Sequence, residues 1–175
     1  MAEQSKKVET EPVETPEIKK SAGLTEAEMR ANVIRLAFGE DPRRFEEFVG
    51  AVNAAVPVNT AVVLRGSSVT GTRWEDGAPF DADGPGTSDI DLTLVGGEIL
   101  DCYLPHGFYI TGIHTKPLSE KAPDIAPTLL DLRQKLTAMA GRPVNIQGTR
   151  DWIMFVREVL MGQPYLTILG RLEEA

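Results

Sequence analysis

Two short stretches carry the residues able to do chemistry. "VVLRGSSVTG", Val62–Gly71, ends an apolar run in Gly66, Ser67 and Ser68. "GTSDIDLTLVGG", Gly86–Gly97, opens another with Asp89 and Asp91. Side chains alternate across a strand, so two aspartates two positions apart project to the same face. Two carboxylates there repel each other, and a hard divalent cation such as Mg2+ relieves the repulsion. Glycine lets a backbone approach a phosphate closely. The N–H groups of a strand-to-helix turn favour an anion, and a serine hydroxyl adds a donor. Each feature alone has a plainer reading. The aspartates could be a polar strand edge after the turn "GPGTS", and Gly-Ser-Ser an ordinary turn. The string "GSSVTGTR" keeps both glycines of a G-x-x-x-x-G-K-[ST] phosphate loop, Gly66 and Gly71. Thr72 stands where the lysine belongs and Arg73 where the hydroxyl belongs, which argues against that class.

The elements that must position these residues can be read from periodicity. "TEAE" at Thr25–Glu28 is a capping box, and Met29, Val33, Leu36 and Ala37 then fall on one helical face. Asp41-Pro42 starts a second helix, with Phe45, Phe48, Val49 and Val52 at helical spacing. "NTAVVLRGSS" and "SDIDLTLVGG" read as strands, and "GFYITGIHT" as one further strand. "PTLLDLRQKLTAMAG" is a helix with Leu129, Leu132, Leu136 and Met139 inward and Gly141 as its stop. "RPVNIQG" is a short strand. In "TRDWIMFVREVLMG" a last helix places Trp152, Phe155, Val156 and Val159 on one face, with Gly162 ending it. Helices and strands therefore mix around one sheet, with the chemistry at strand ends, where loops present it.

The joint pattern resembles the polymerase-β-type nucleotidyltransferase superfamily. A strand ending in "LRGSS" is followed on the next strand by "TSDIDLTLV", and "GRPVNIQGTRDWIMFVREVLMGQPYLTIL" resembles the end of the minimal nucleotidyltransferase members. The resemblance covers Ala61–Leu169, about two-thirds of the chain. It implies an α/β (α+β) nucleotidyltransferase fold, a small mixed β-sheet flanked by helices. It further implies that Gly66 and Ser67, beside Ser68, hold the terminal phosphates of an NTP, and that Asp89 and Asp91 bind metal and carry catalysis. An acceptor hydroxyl on RNA, protein or a small molecule would attack the α-phosphate, with two Mg2+ ions assisting and pyrophosphate leaving.

Two departures from the pattern matter. "TRWEDGAPFDADGPG" is inserted between the two motifs. It reads as a surface loop, either bordering the acceptor site or an excursion without function. Its Asp81-x-Asp83-Gly84 fails the spacing of a calcium loop. The second departure is Asn145, in "VNI", where the family carries its third carboxylate. An amide bears no charge and is no base at neutral pH. Correct placement of the resemblance requires the Asn145 side chain to lie within roughly 4–6 Å of both aspartates. Another acid, Asp151 or one from the insertion, would then substitute, or transfer is slow. The alternative is a nucleotide- or partner-binding relative that has lost transfer, such as the antitoxin-like partner of a toxin. His106 and His114 lack the further ligands of a zinc site. Arg65 could meet a phosphate, and Trp74 could stack on a base or pack on the surface.

Composition bounds these readings. The 175 residues, 42% apolar, suit one domain at 25–175. Residues 1–24, rich in Glu, Lys, Thr and Pro, are expected to form a disordered tail. A net charge of −8 argues against a broad electrostatic grip on nucleic acid or anionic lipid, though not against one bound nucleotide. No apolar run reaches the roughly 20 residues of a membrane span. A polar N-terminus and a single cysteine, Cys102, make the cytoplasm the expected compartment.

Overall fold

Side chains alternate along each strand, so every strand feeds both faces of the sheet. The computed structural model describes residues 23–172, so the expected tail lies, but for its last two residues, outside the described residues. Six strands form one mixed sheet: β1 (Ala61–Arg65), β2 (Ile90–Val95), β3 (Phe108–Ile110), β4 (His114–Thr115), β5 (Val144–Thr149) and β6 (Tyr165–Leu169). Their order is β3-β4-β5-β2-β1-β6. β2 and β5 run parallel, and the other pairs are antiparallel. On one face Val62, Leu64, Ile90, Leu92, Leu94, Val144, Ile146 and Leu166 enter the main core. That core is closed by α1 (Glu26–Ala37), α2 (Pro42–Ala55) and α4 (Leu130–Ala140), which contribute Val33, Phe45, Phe48, Val52 and Leu136, each at most 1% exposed.

The helix boundaries follow local chemistry. Thr25 and Glu28 form the reciprocal cap of α1, and Asp41 caps α2 ahead of Pro42. Gly141, at φ 69°, ends α4 in the left-handed region. The other sheet face is covered by α5 (Trp152–Met154), which continues as π-helical turns over Phe155–Leu160. There Phe155 and Leu160 pack on Val63, with Trp152, Val156 and Tyr165 around them. The side chain of Val159 lies outside the described residues. Met161, at φ 48°, and the expected Gly162, at φ 85°, end this segment together in the left-handed region. "GFYITGIHT" is a hairpin of two short strands rather than one strand, because Gly112 at φ 72° turns the chain and Ile113 donates back to Ile110. Among the described residues no helix is long and apolar enough to cross a membrane.

The insertion is anchored. Arg142 donates to both oxygens of Asp81, at 2.9 and 3.2 Å, and to the Ser88 carbonyl at 3.0 Å. Its guanidinium lies 4.5 Å from the centre of the Phe80 ring. The Asp81 oxygens also accept from the backbone N–H groups of Gly86 and Ser88, each at 2.9 Å. Burial pushes the Asp81 carboxyl upward. The Arg142 and backbone donors outweigh it and hold the group well below the usual carboxylate range. Asp81 is therefore the keystone of a bracket. Removing Arg142 leaves its charge poorly compensated, so Arg142→Ala should cost about 3 kcal/mol. The expected reading is a lower urea midpoint at unchanged slope. A midpoint equal to the parent's would mean the bracket stands without this clamp.

Candidate functional site

The register of the central strands assembles the site. Arg65 on β1 pairs with Asp91 on β2, and Asp91 pairs with Asn145 on β5. Partners in adjacent strands share a face, so the three side chains form one row. Asp89, just before β2, projects to that face as well. The Asn145 amide nitrogen donates to Asp89 at 2.6 Å and to Asp91 at 3.1 Å, closer than the sequence argument required. With carboxylates on both sides, only the nitrogen end of the amide can point there.

Gly66 sits at the mouth of the same row. Its φ of 81° belongs to the left-handed region, and a Cβ there would stand 3.1 Å from an Asp91 carboxylate oxygen. Both facts favour glycine. The chain then enters α3 (Ser67–Thr70), a single turn. That turn separates the two serines. Ser67 lines a cleft of about 320 Å³ together with Arg65, Gly66, Asp89 and Asp91. Ser68 is fully buried beneath the turn, its hydroxyl without a partner, and it does not line the cleft. The helical turn thus rotates the Ser68 hydroxyl inward, away from the cleft that Ser67 lines.

The charges are unevenly compensated. Burial raises the Asp91 carboxyl, the Arg65 cation opposes that, and the Asp89 charge adds to the rise. The Asn145 hydrogen bond lowers it, Glu75 raises it, and the net direction is upward. Arg65 is tied through one nitrogen to Gln147 at 3.2 Å.

The insertion also lines the cleft, with Arg73, Trp74, Glu75 and Asp83, and Thr87 and Ser88 follow from the approach to β2. In the sequence Trp74 stands out as a base-stacking candidate, Arg73 and Asp83 only within motifs that fail, and Glu75 only as one of the insertion's acids. Gln163 also lines the cleft, from the turn before β6, and no sequence signal marked it. Asp151 is spent as the cap of α5, accepting from Met154 at 2.8 Å, and is not a lining residue. The two histidines do not act together. His106 pairs with Asp124 at 3.1 Å, while His114 is buried between Tyr109 and Phe155. Among the described residues, no three His, Cys, Asp or Glu are placed to hold a metal. Comparison with protein-family models, with curated proteins and with solved structures finds no match for this chain.

Behind the row lies a buried polar layer of Thr93, Gln147, Thr149 and His114. Burial, and then the Arg65 charge, push the His114 imidazole down to about 4. The unfolded chain, titrating near 6.5, binds a proton between those values that the folded chain refuses. Stability contributed by neutral His114 is thus complete above about pH 6.5 and is lost as pH falls toward 4. Between pH 7 and pH 5 the loss should be about 2 kcal/mol. His114→Phe should remove most of it, checked by chemical denaturation at both values. An unchanged difference would assign the loss to other groups.

Proposed function

We propose that the cleft binds a nucleoside triphosphate through a divalent cation and transfers its nucleoside monophosphate to an acceptor hydroxyl. The observation that carries this reading is that the Gly66–Ser67 turn and the Asp89–Asp91 pair open onto one cleft. The order of the motifs along the chain, and the resemblance to minimal nucleotidyltransferases, support it.

The donor set suits one hard cation. Asp89 and Asp91 lie close enough for one amide nitrogen to bond both, and Asp91 is already pushed toward protonation by burial and by its neighbour. The second ion implied by the resemblance has no third carboxylate, since Asn145 occupies that position. Bound to Asp89 and Asp91, a divalent cation would neutralise triphosphate charge and polarise the reacting phosphate. The Ser67 hydroxyl and the turn's N–H groups would hold the terminal phosphates. The acceptor oxygen forms its bond to the α-phosphorus as the bond to pyrophosphate breaks. Asn145 cannot take the acceptor's proton. Of the other acids lining the cleft, Asp83 is ion-paired with Arg73, which leaves Glu75 on the rim to receive it.

One observation favours a second reading. The Asn145 amide satisfies both carboxylates, and its two bonds must be given up before a cation enters. A protein that binds nucleotide or a partner, such as a toxin, and transfers slowly or not at all has this character.

Two experiments decide. Titration of the four NTPs, each with and without Mg2+, should give Mg2+-dependent binding that Asp89→Ala with Asp91→Ala abolishes while the fold survives. Binding like the parent's in the double variant would mean the site is misassigned. Asn145→Asp should tighten Mg2+, lower the melting temperature of the metal-free protein and restore a base term of about 10²–10⁴ in transfer rate. Tighter Mg2+ without transfer onto RNA, protein or small-molecule hydroxyls would favour the binding-only reading.

A further inference from the structure

Trp74 is a large apolar side chain, 46% exposed, on the wall of a cleft whose other named groups are mostly charged. Burying an indole against apolar neighbours is favourable, so leaving it exposed on a mobile tip would be unremarkable chemistry. This tip is held. The Arg73 N–H donates to the Ala78 carbonyl at 2.7 Å, and Gly77 donates back to Arg73 at 3.0 Å. The Ala78 N–H donates to Asp76 at 2.9 Å, and Thr72 bridges Pro79. Arg73 is ion-paired with Asp83 and Asp76. Phe80 and Asp81, clamped by Arg142, fix the base of the loop. Among the described residues, no aromatic ring or cation stacks on the Trp74 indole, whereas Trp152 packs on both Phe155 and Tyr165. A rigid loop thus presents one unpartnered indole to the cleft that also holds Gly66, Ser67, Asp89 and Asp91.

Resting on the nucleotide reading above, we infer that Trp74 is the stacking platform for the base of the bound nucleotide. The turn at Gly66–Ser67 and the aspartates address phosphates and cation, which every triphosphate shares. The base needs a separate surface, and a preorganised indole provides it at low entropic cost. Every base has a π-face, so the platform discriminates weakly among bases. The class of ligand is therefore a nucleoside triphosphate of either purine or pyrimidine type, stacking most strongly with purines.

The test separates the base from the phosphates by using MgATP and Mg-tripolyphosphate as probes on the intact chain. The parent should bind both. Base–aromatic stacking predicts that Trp74→Ala and Trp74→Leu weaken MgATP by roughly 5- to 100-fold. Both should leave tripolyphosphate within about two-fold of the parent, and Trp74→Phe should recover most of the MgATP affinity. MgATP should quench the parent's tryptophan fluorescence, tripolyphosphate should not, and the quenching should vanish in Trp74→Phe although binding persists. MgATP affinity equal to the parent's in Trp74→Ala and Trp74→Leu overturns the inference. So does an equal loss of both probes, which would mean that Trp74 shapes the loop rather than meets the base. A parent that binds neither probe overturns the proposed function itself, and this inference falls with it.

Discussion

Two like charges held side by side at the middle of a sheet are the constraint around which this molecule is arranged. Asp89 and Asp91 share a face, Asp91 fixed by the register of β2 and Asp89 by the hydrogen bond from Asn145. Unit charges about 4 Å apart near a protein surface repel by about 4 kcal/mol. A hydrogen bond to a charged acceptor contributes about 1.5–3 kcal/mol. Two such bonds from the Asn145 amide therefore offset most of the repulsion without adding charge. Arg65 stands on the other flank of Asp91. A carboxylate at Asn145 would add further repulsions, tolerable only with a cation present. The amide makes the ion-free protein self-sufficient, and that same sufficiency is what a cation must displace.

The insertion answers a different need. Its glycines and prolines invite a picture of loose chain. Its fixed points tell otherwise: Arg142 reaches from beyond α4 to Asp81, Ser88 and the Leu36 carbonyl. One guanidinium thus ties the loop, the approach to β2 and the end of α1. The loop can then carry Trp74 and Glu75 at defined places beside the aspartates.

Much of this arrangement was legible in the sequence because its causes are local. The capping box at Thr25, the Asp41-Pro42 start and the Gly141 stop are each decided within a few residues, and all stand as read. The β-rich apolar runs at β1 and β2 likewise stand as strands. The position of Asn145 followed from the pairing of its strand, through the resemblance rather than through spacing. What failed to show was whatever depends on distant partners. The hairpin at Gly112 hides in a β-rich run because one left-handed residue divides it. Ser68 could not be told from Ser67 without the turn of α3. Asp81 has no role in the sequence once the calcium loop is rejected, because its partner, Arg142, lies far along the chain. Gln163 reaches the cleft through folding alone.

The strand order also governs how the protein can be made. The β1–β2 pair is complete by Val95, yet both of its outer edges are filled by strands that come later, β5 against β2 and β6 against β1. While the ribosome holds residues beyond 143, the growing chain carries an apolar ribbon with two open edges, a template for pairing with other chains. Val63 lacks the cover of Phe155 and Leu160 over the same interval. The cleft, which draws on both motifs of that ribbon and on Gln163, is thus completed only after residue 163 has been added. Truncation before Leu169 would leave a sticky intermediate rather than a smaller working protein.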